Sequence, residues 1–586
     1  MPEAGYQGEI AAIVCGNGGL NANLNPSKIS LKNVIQAEGA VFRQDHWRKE
    51  PGTALFGTIL ASPVGGDPDD ALIVALNDWH PTETVQRIVS LRGDGYLYFT
   101  DNGGTNPGAH VSTTTSGAGT RFGYFVTGGA ETGAKNRKLW LFRNNKQPTF
   151  LDGDVTNDTV ITKPAVDWSD AHPPIVGIIN GGGFNAGATG GGGRLVAAGN
   201  SNSPHTLYAS VFGDQTDFTT NTGTATDFQT LSVFPGVGER IYGLRSYQGF
   251  NVVFKFPRGI FIADMRDTDP ANWLVQQVTD AIGIAPTPYA ALQLENDILF
   301  LGSDGQFYLF SAVLAAATGQ QNMETANLGM RLQIYEFLLN AYNRNLLNQV
   351  QSVYQPFWQT ATFIVPQPGS TKNTSRLVFD FNAVPSGGDP RFSYSYRDTA
   401  ASIAIRRDPS DFIDKPMYGD YQSNIILLEQ DARTTWNGAT YPFTVQTPFS
   451  NLGEFENLAY DKFVQFANRR KLFDFLEIEY LAFTDATVTI DVYTDGVFRQ
   501  TILAHLTTGG DPLAATASTP PPVFIIGFSA LSGGAFPRDI VKRLNAGDGK
   551  RVSFVFQNNN YGEDVAITHF FIGFRPGDTT QAPRNG

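Results

Sequence analysis

The chain has 586 residues, a formal net charge of −13, 41% hydrophobic and 17% charged residues, and a single cysteine, Cys15. One cysteine excludes an internal disulfide framework and any cysteine-based zinc cage, and the acidic balance excludes a protein that grips nucleic acid through a basic surface, though not one that nucleic acid slides past. With 62 Gly, 33 Pro, 43 Phe and 21 Tyr in a chain too long for one ordinary core, the composition points to an all-β repeat architecture.

The first 52 residues read as an irregular Gly- and Asn-rich arm, "GGLNANLNPSKIS" running into "NVIQAEGAVFRQDHWRKEPGT". The opening residues lack the basic segment of a signal peptide, and no run of about eighteen apolar residues offers a membrane-spanning helix. Synthesis in a cytosol and no membrane insertion are the expectation.

Within a unit expected over residues 53–450, the sequence from about 70 to 440 repeats one device, a strand, a tight polar turn and a second aromatic or β-branched strand. "RIVSLRGDGYLYFTD", "KLWLFRNNKQPTFLDG", "NVVFKFPRGIFIADM" and "DILFLGSDGQFYLFS" are examples. With Asp94, Asn145, Ser203, Pro257, Asp304, Thr374 and Gln422 as turn markers, the intervals are 51, 58, 54, 47, 70 and 48 residues. The long interval contains residues 322–351, the one stretch of helical periodicity, with Leu332, Tyr335, Leu338 and Leu339 on one side. A period near fifty built from short antiparallel strands predicts a β-propeller of six to eight blades, with a short helical insertion. Such a ring needs closing, and the arm (1–52) is expected to supply the closing strand.

Residues 451–586 change texture. Alternation in "TVTIDVYTDG" and "RVSFVFQNN" predicts a C-terminal β-sandwich-like domain, with "TPPPVF" as a stiff loop within it.

The sequence offers little to catalysis. The seven histidines show no metal-pair spacing, and no G-x-S-x-G elbow or P-loop occurs. The Gly-rich run 181–194 lacks the lysine that phosphate binding needs and reads as a blade tip. Asp94, Asp101, Asp264, Asp304 and Asp380 are candidate glycosidase carboxylates, and Asp152, Asp154 and Asp158 candidate calcium ligands, although turn tips select Asp for local hydrogen bonding. No catalytic residue, cofactor or metal is expected. The residues chosen for interaction with an acidic partner or DNA are Arg469, Arg470 and Lys471 in "NRRKLF" and Arg48 and Lys49 in "HWRKEPG".

"GGLN" followed by "NVIQAEGAVFRQDHWRKEPGT" resembles the amino-terminal signature of the β-propeller tail proteins of short-tailed bacteriophages, the tail nozzle or tail accessory (packaged-DNA stabilisation) proteins. "FKFPRGIFIADMRDTDPANWLVQQVTDAIGIAPTPYAALQLENDILFLGSDGQFYLFS" is similar to a blade-to-blade passage of that family, and the likeness in layout spans residues 16–440. The resemblance implies a structural virion protein made in the host bacterial cytoplasm. It implies a homo-hexameric ring below the portal and adaptor, contacts with tail fibre proteins, and transient, non-specific contact with ejected DNA. Two alternatives are a receptor-binding or fibre-attachment protein, which calls for a solvent-facing aromatic platform such as Trp358 or Trp436, and a propeller glycosidase or lyase, which calls for two carboxylates converging at a channel mouth.

Overall fold

The computed structural model describes residues 9–14, 19–22, 29, 33–42, 46–59, 62–63, 67–82, 85–101, 109–110, 120–130, 137–151, 159–161, 163–179, 193–267, 269–382, 389–396, 399–408, 413–429, 439–452, 469–507 and 537–576. Among them the chain is mainly β, and no helix is long and apolar enough to cross a membrane.

Seven antiparallel blades follow one another. Blade 1 is Ile73–Trp79, Arg87–Arg92, Leu97–Asp101 and Ala109–His110; blade 2 is Gly123–Ala130, Arg137–Arg143, Thr149–Leu151 and Thr159–Val160. Blade 3 is Val176–Ile179, Leu195–Ala198, Thr206–Ala209 and Gln229–Ser232; blade 4 is Arg240–Tyr247, Phe250–Phe256, Ile260–Asp264 and Leu274–Thr279. Blade 5 has three strands, Ala291–Gln293, Ile298–Leu301 and Phe307–Leu309, and blade 6 has Gln351–Gln355, Thr360–Pro366, Asn373–Asp380 and Arg391–Tyr396. Blade 7 is Ser402–Arg407, Asp414–Gly419, Asn424–Glu429 and, from the other end of the chain, Gly52–Thr58. Each first strand packs against the first strand of the next blade, and that of blade 7 packs against that of blade 1, so the ring closes as a seven-bladed β-propeller.

All seven turn markers fall on the same hairpin, between the second and third strands of successive blades, with Thr374 just inside the third strand of blade 6. The chemistry recurs too. In blades 1 and 5 a D-G-x-x-Y segment makes the turn: Asp94 accepts from the Tyr96 amide at 3.1 Å and the Tyr98 hydroxyl at 3.2 Å. Asp304 accepts from the Gln306 amide at 3.0 Å and the Tyr308 hydroxyl at 2.6 Å. Gly95 and Gly305 follow at φ of 85° and 74°, a region where a side chain is strained.

The helical insertion begins earlier than the periodicity predicts and is broken. Helix Phe310–Ala317 follows blade 5 directly, then come Met323–Ala326, Leu328–Arg331 and Tyr335–Ala341 and a 3-10 segment, Arg344–Gln349. Asn322, Asn327 and Asn343 each cap a new start by accepting from a backbone amide, and Gln333 turns left-handed at φ 57°, which is why one continuous helix does not form.

The carboxy-terminal unit is a two-sheet sandwich. One sheet orders Ala40–Phe42, Trp47–Lys49, Val565–Pro576, Lys471–Ala482 and Pro537–Arg543, with Glu9–Val14 also paired to Val565–Pro576. The other orders Gln36–Glu38, Phe443–Gln446, Val552–Asn558, Ala486–Thr494 and Val497–Leu506, and joins blade 6 through a parallel Glu38–Tyr394 pair.

The predicted boundaries need correcting accordingly. The closing strand, Gly52–Thr58, shares only its first residue with the 1–52 arm, while the arm's other strands belong to the sandwich, as does Phe443–Gln446 from before residue 451. The reason is burial: Trp47 sits between the sheets, 6.0 Å from the Phe556 ring and 6.1 Å from the Phe570 ring, and is 2% exposed.

Candidate functional site: the channel mouth and the cleft beside blade 5

The propeller axis is crossed by side chains. Thr287 accepts from the Tyr289 amide and starts a 3-10 turn, Pro288–Ala290, just before blade 5. This aims Tyr289 across the ring, where its hydroxyl donates to the Gly123 carbonyl of blade 2 at 2.9 Å and its ring meets Tyr124 edge-on at 5.4 Å. Arg245 of blade 4 donates to the Tyr124 hydroxyl and to the Pro288 carbonyl, each at 2.8 Å. Gln351 of blade 6 donates to the Val74 carbonyl of blade 1 at 2.9 Å and accepts from the Ile403 amide of blade 7 at 3.2 Å. Burial drives the Tyr289 phenol well above its ordinary range. It stays neutral and able to donate.

The plug divides the axis into two cavities. On the face of the second-to-third-strand turns lies one of about 380 Å³, reaching Asp69, Arg121, Lys372 and Tyr421. On the opposite face the mouth opens to about 810 Å³, bounded by Tyr124, Arg245, Gln248, Glu295, Asn296 and Tyr354. Glu295, Asn296 and Tyr354 also line a second cleft of about 750 Å³, which runs between blades 5 and 6 to Asp297, Arg331 and Gln359. The two spaces thus share a wall.

Three turns of one kind, joining first and second strands, build this rim: Gln248 on blade 4, residues 294–297 on blade 5 and residues 356–359 on blade 6. Asp297 is held by the Ile298 amide at 2.8 Å, the Ser311 amide at 3.0 Å and the Ser311 hydroxyl. Burial nevertheless raises its carboxyl pKa. Burial, with Glu295 adding to it, pushes the Tyr354 phenol up to about 12.

The carboxylates singled out in the sequence are elsewhere. Asp94 and Asp304 serve turns on the opposite face, Asp264 is paired with Arg266 at 2.8 Å, and Asp380 accepts from the Asn382 amide at 2.8 Å. The side chain of Asp101, together with Asp152, Asp154, Asp158 and Trp436, lies outside the described residues, as do "TPPPVF" and most of the run 181–194. Among the described residues no His, Cys, Asp or Glu group could hold a metal ion. Glu295, which lines the mouth, and Asp297, which lines the cleft between blades 5 and 6, were missed because "LEND" reads as an ordinary turn; its position beside the first strand of a blade was the available signal.

The basic residues chosen for interaction also need correcting. Lys49 is buried and donates to Asn558 Oδ1 at 3.0 Å and the Glu563 carbonyl at 3.2 Å, with the Tyr441 ring 4.4 Å away. Arg48 pairs with Asp564 at 2.6 Å and lies over the Phe483 ring. Lys471 is buried against the Arg469 and Lys550 carbonyls, and burial lowers its ammonium to about 8. These three are internal ties. Arg469 and Arg470 are exposed, and Arg470 pairs with Asp548 at 2.7 Å.

No family model matches the chain, and no curated protein matches it. Among solved structures, the computationally designed Ika8 protein is similar at 10% identity and a TM-score of 0.33, over 64% of this chain and 99% of that one. BBS1N, solved in complex with ARL6DN, is similar at 8% identity and a TM-score of 0.36, over 64% of this chain and 98% of that one. Neither likeness bears on function.

Proposed function

We propose that the protein is a structural subunit of a short-tailed bacteriophage tail, a nozzle-type ring that retains packaged DNA and forms the conduit for its ejection. The observation that carries this reading is the blocked axis, together with the tail-protein resemblance of the arm and blades. Hydrogen bonds from Tyr289, just before blade 5, to blade 2 and from blade 6 to blade 1 cross the axis of a single propeller among the described residues, so the conduit of this reading runs between subunits. Such a wall needs stiffness without a cofactor. The arm supports this by threading both sandwich sheets and then closing the ring, which ties the two units into one body. A net charge of −13 weakens adhesion of moving phosphates. Retention and release would be steric and electrostatic, with subunit loops narrowing the channel until a conformational change opens it.

The partners of this reading are five further copies of the chain, an adaptor or portal-proximal protein above, and tail fibre proteins at the side. Native mass determination and particle imaging of the purified protein mixed with a virion tail extract test it. A six-fold ring with an axial hole is the expected result, and a monomer that never joins a ring overturns the reading.

A further inference from the structure

The channel mouth and the neighbouring groove between blades 5 and 6 together form a cleft divided by Glu295, Asn296 and Tyr354, which has a use that a structural wall does not require. The two spaces, about 810 and 750 Å³, lie on either side of the wall formed by Glu295, Asn296 and Tyr354, and each is within the range of about 300–1,000 Å³ typical of ligand pockets, so an elongated ligand would lie across that wall. Along it the side chains of Gln248, Glu295, Asn296, Tyr354 and Gln359 make no hydrogen bond to another described residue, so their donors and acceptors face the cleft water. Gln248 and Gln359 stand in left-handed backbone, φ 51° and 50°, which for Gln248 is the ordinary geometry of a two-residue hairpin turn with Gly249 at 85°. On the rim turn, between Pro356, which lines the mouth, and Gln359, which lines the groove, Phe357 stands outside both spaces, 56% exposed and braced edge-on by Trp358, with ring centroids 4.9 Å apart.

That combination selects a chemistry. Glu295 and Asp297 repel phosphates, and the cations nearby are already engaged, Arg245 with Tyr124 and Arg331 with Asp389. A polyanion is therefore disfavoured. Planar amides, a carboxylate acceptor and a phenol match the paired hydroxyls of a sugar, while an exposed ring offers a surface to its C–H face. We propose that this cleft binds a neutral oligosaccharide, running from the channel mouth toward Phe357. The proposal goes beyond the nozzle reading and does not depend on it.

The test uses the full-length protein on an array of purified bacterial O-antigen, capsular and homopolymer oligosaccharides, with hits titrated calorimetrically. Retention of at least one neutral oligosaccharide is expected. Phe357→Ala, and Glu295→Gln combined with Asn296→Ala, should each weaken it at least tenfold, while Arg469→Ala with Arg470→Ala leaves it unchanged. All substituted residues are exposed, and unchanged thermal midpoints would show intact folds. Retention of charged glycans only, binding indifferent to the cleft variants, or no retention at all overturns the proposal. A six-fold ring without glycan binding would sink this inference alone, and glycan binding by a monomer would sink the nozzle reading alone.

Discussion

Arg376, on the third strand of blade 6, meets Glu50 of the amino-terminal arm at 3.0 Å, with 7% of one side chain and none of the other exposed to solvent. Arg376 also donates to the Tyr418 hydroxyl of blade 7 at 3.0 Å, and Tyr441 donates to the Glu50 carbonyl at 2.6 Å. This ion pair is the joint between arm, propeller and sandwich.

Breaking one partner of a buried pair strands the other charge, at a cost of about 3–5 kcal/mol. Glu50→Gln and Arg376→Met should each lose stability on that scale in urea denaturation. Glu50→Leu combined with Arg376→Met should recover much of the loss, because the desolvation cost disappears with both charges.

Among the basic residues, stability effects should follow burial and not local charge density. Lys49→Ala leaves Asn558 and the Glu563 carbonyl without their ammonium donor, an expected loss of about 2–3 kcal/mol. Arg470→Ala breaks an exposed pair and should change stability by at most about 0.5 kcal/mol. Parallel denaturant midpoints for the two variants decide the ranking.

Removing the hydroxyl that spans the axis, in Tyr289→Phe, should cost about 1 kcal/mol while leaving the ring packing of Tyr124 in place. The β signature in circular dichroism should stay unchanged. A collapse of the fold would mean that the plug is needed for closure.

Two buried lysines predict an unusual alkaline profile. Burial lowers the Lys255 and Lys471 ammonium groups to about 8, against 10.5 in an unfolded chain. Between those values the unfolded state holds more protons, so stability rises as pH increases from about 8 toward 10. Above that the trend reverses, because phenols such as Tyr208 and Tyr354, pushed up to about 12 by burial, keep protons that the unfolded chain gives up. Lys255→Met should flatten the rise between pH 8 and 10 by about half when thermal midpoints are measured across that range.

The repeat was legible in the sequence because its causes are local. A turn that needs Asp and Gly, flanked by strands that need aromatic and β-branched residues, recurs wherever a blade recurs, so seven markers located seven hairpins of one kind. The candidate cleft was not legible. It is built from the other set of turns, where "YQGF", "LEND" and "FWQT" share no pattern and become neighbours only when the ring brings blades 4, 5 and 6 around one axis.

By itself, then, the sequence determined the all-β class, the blade period and the interval that holds the helical interruption, each encoded within a few tens of residues. Only the tertiary structure decided that the arm belongs to the sandwich, that Gly52–Thr58 closes the ring and that Lys49 and Lys471 are internal. The contact between Arg48 and Asp564 spans 516 positions. Local pattern carries no record of such a partner, because it depends on where the two ends of the chain meet once both sheets and the ring have formed.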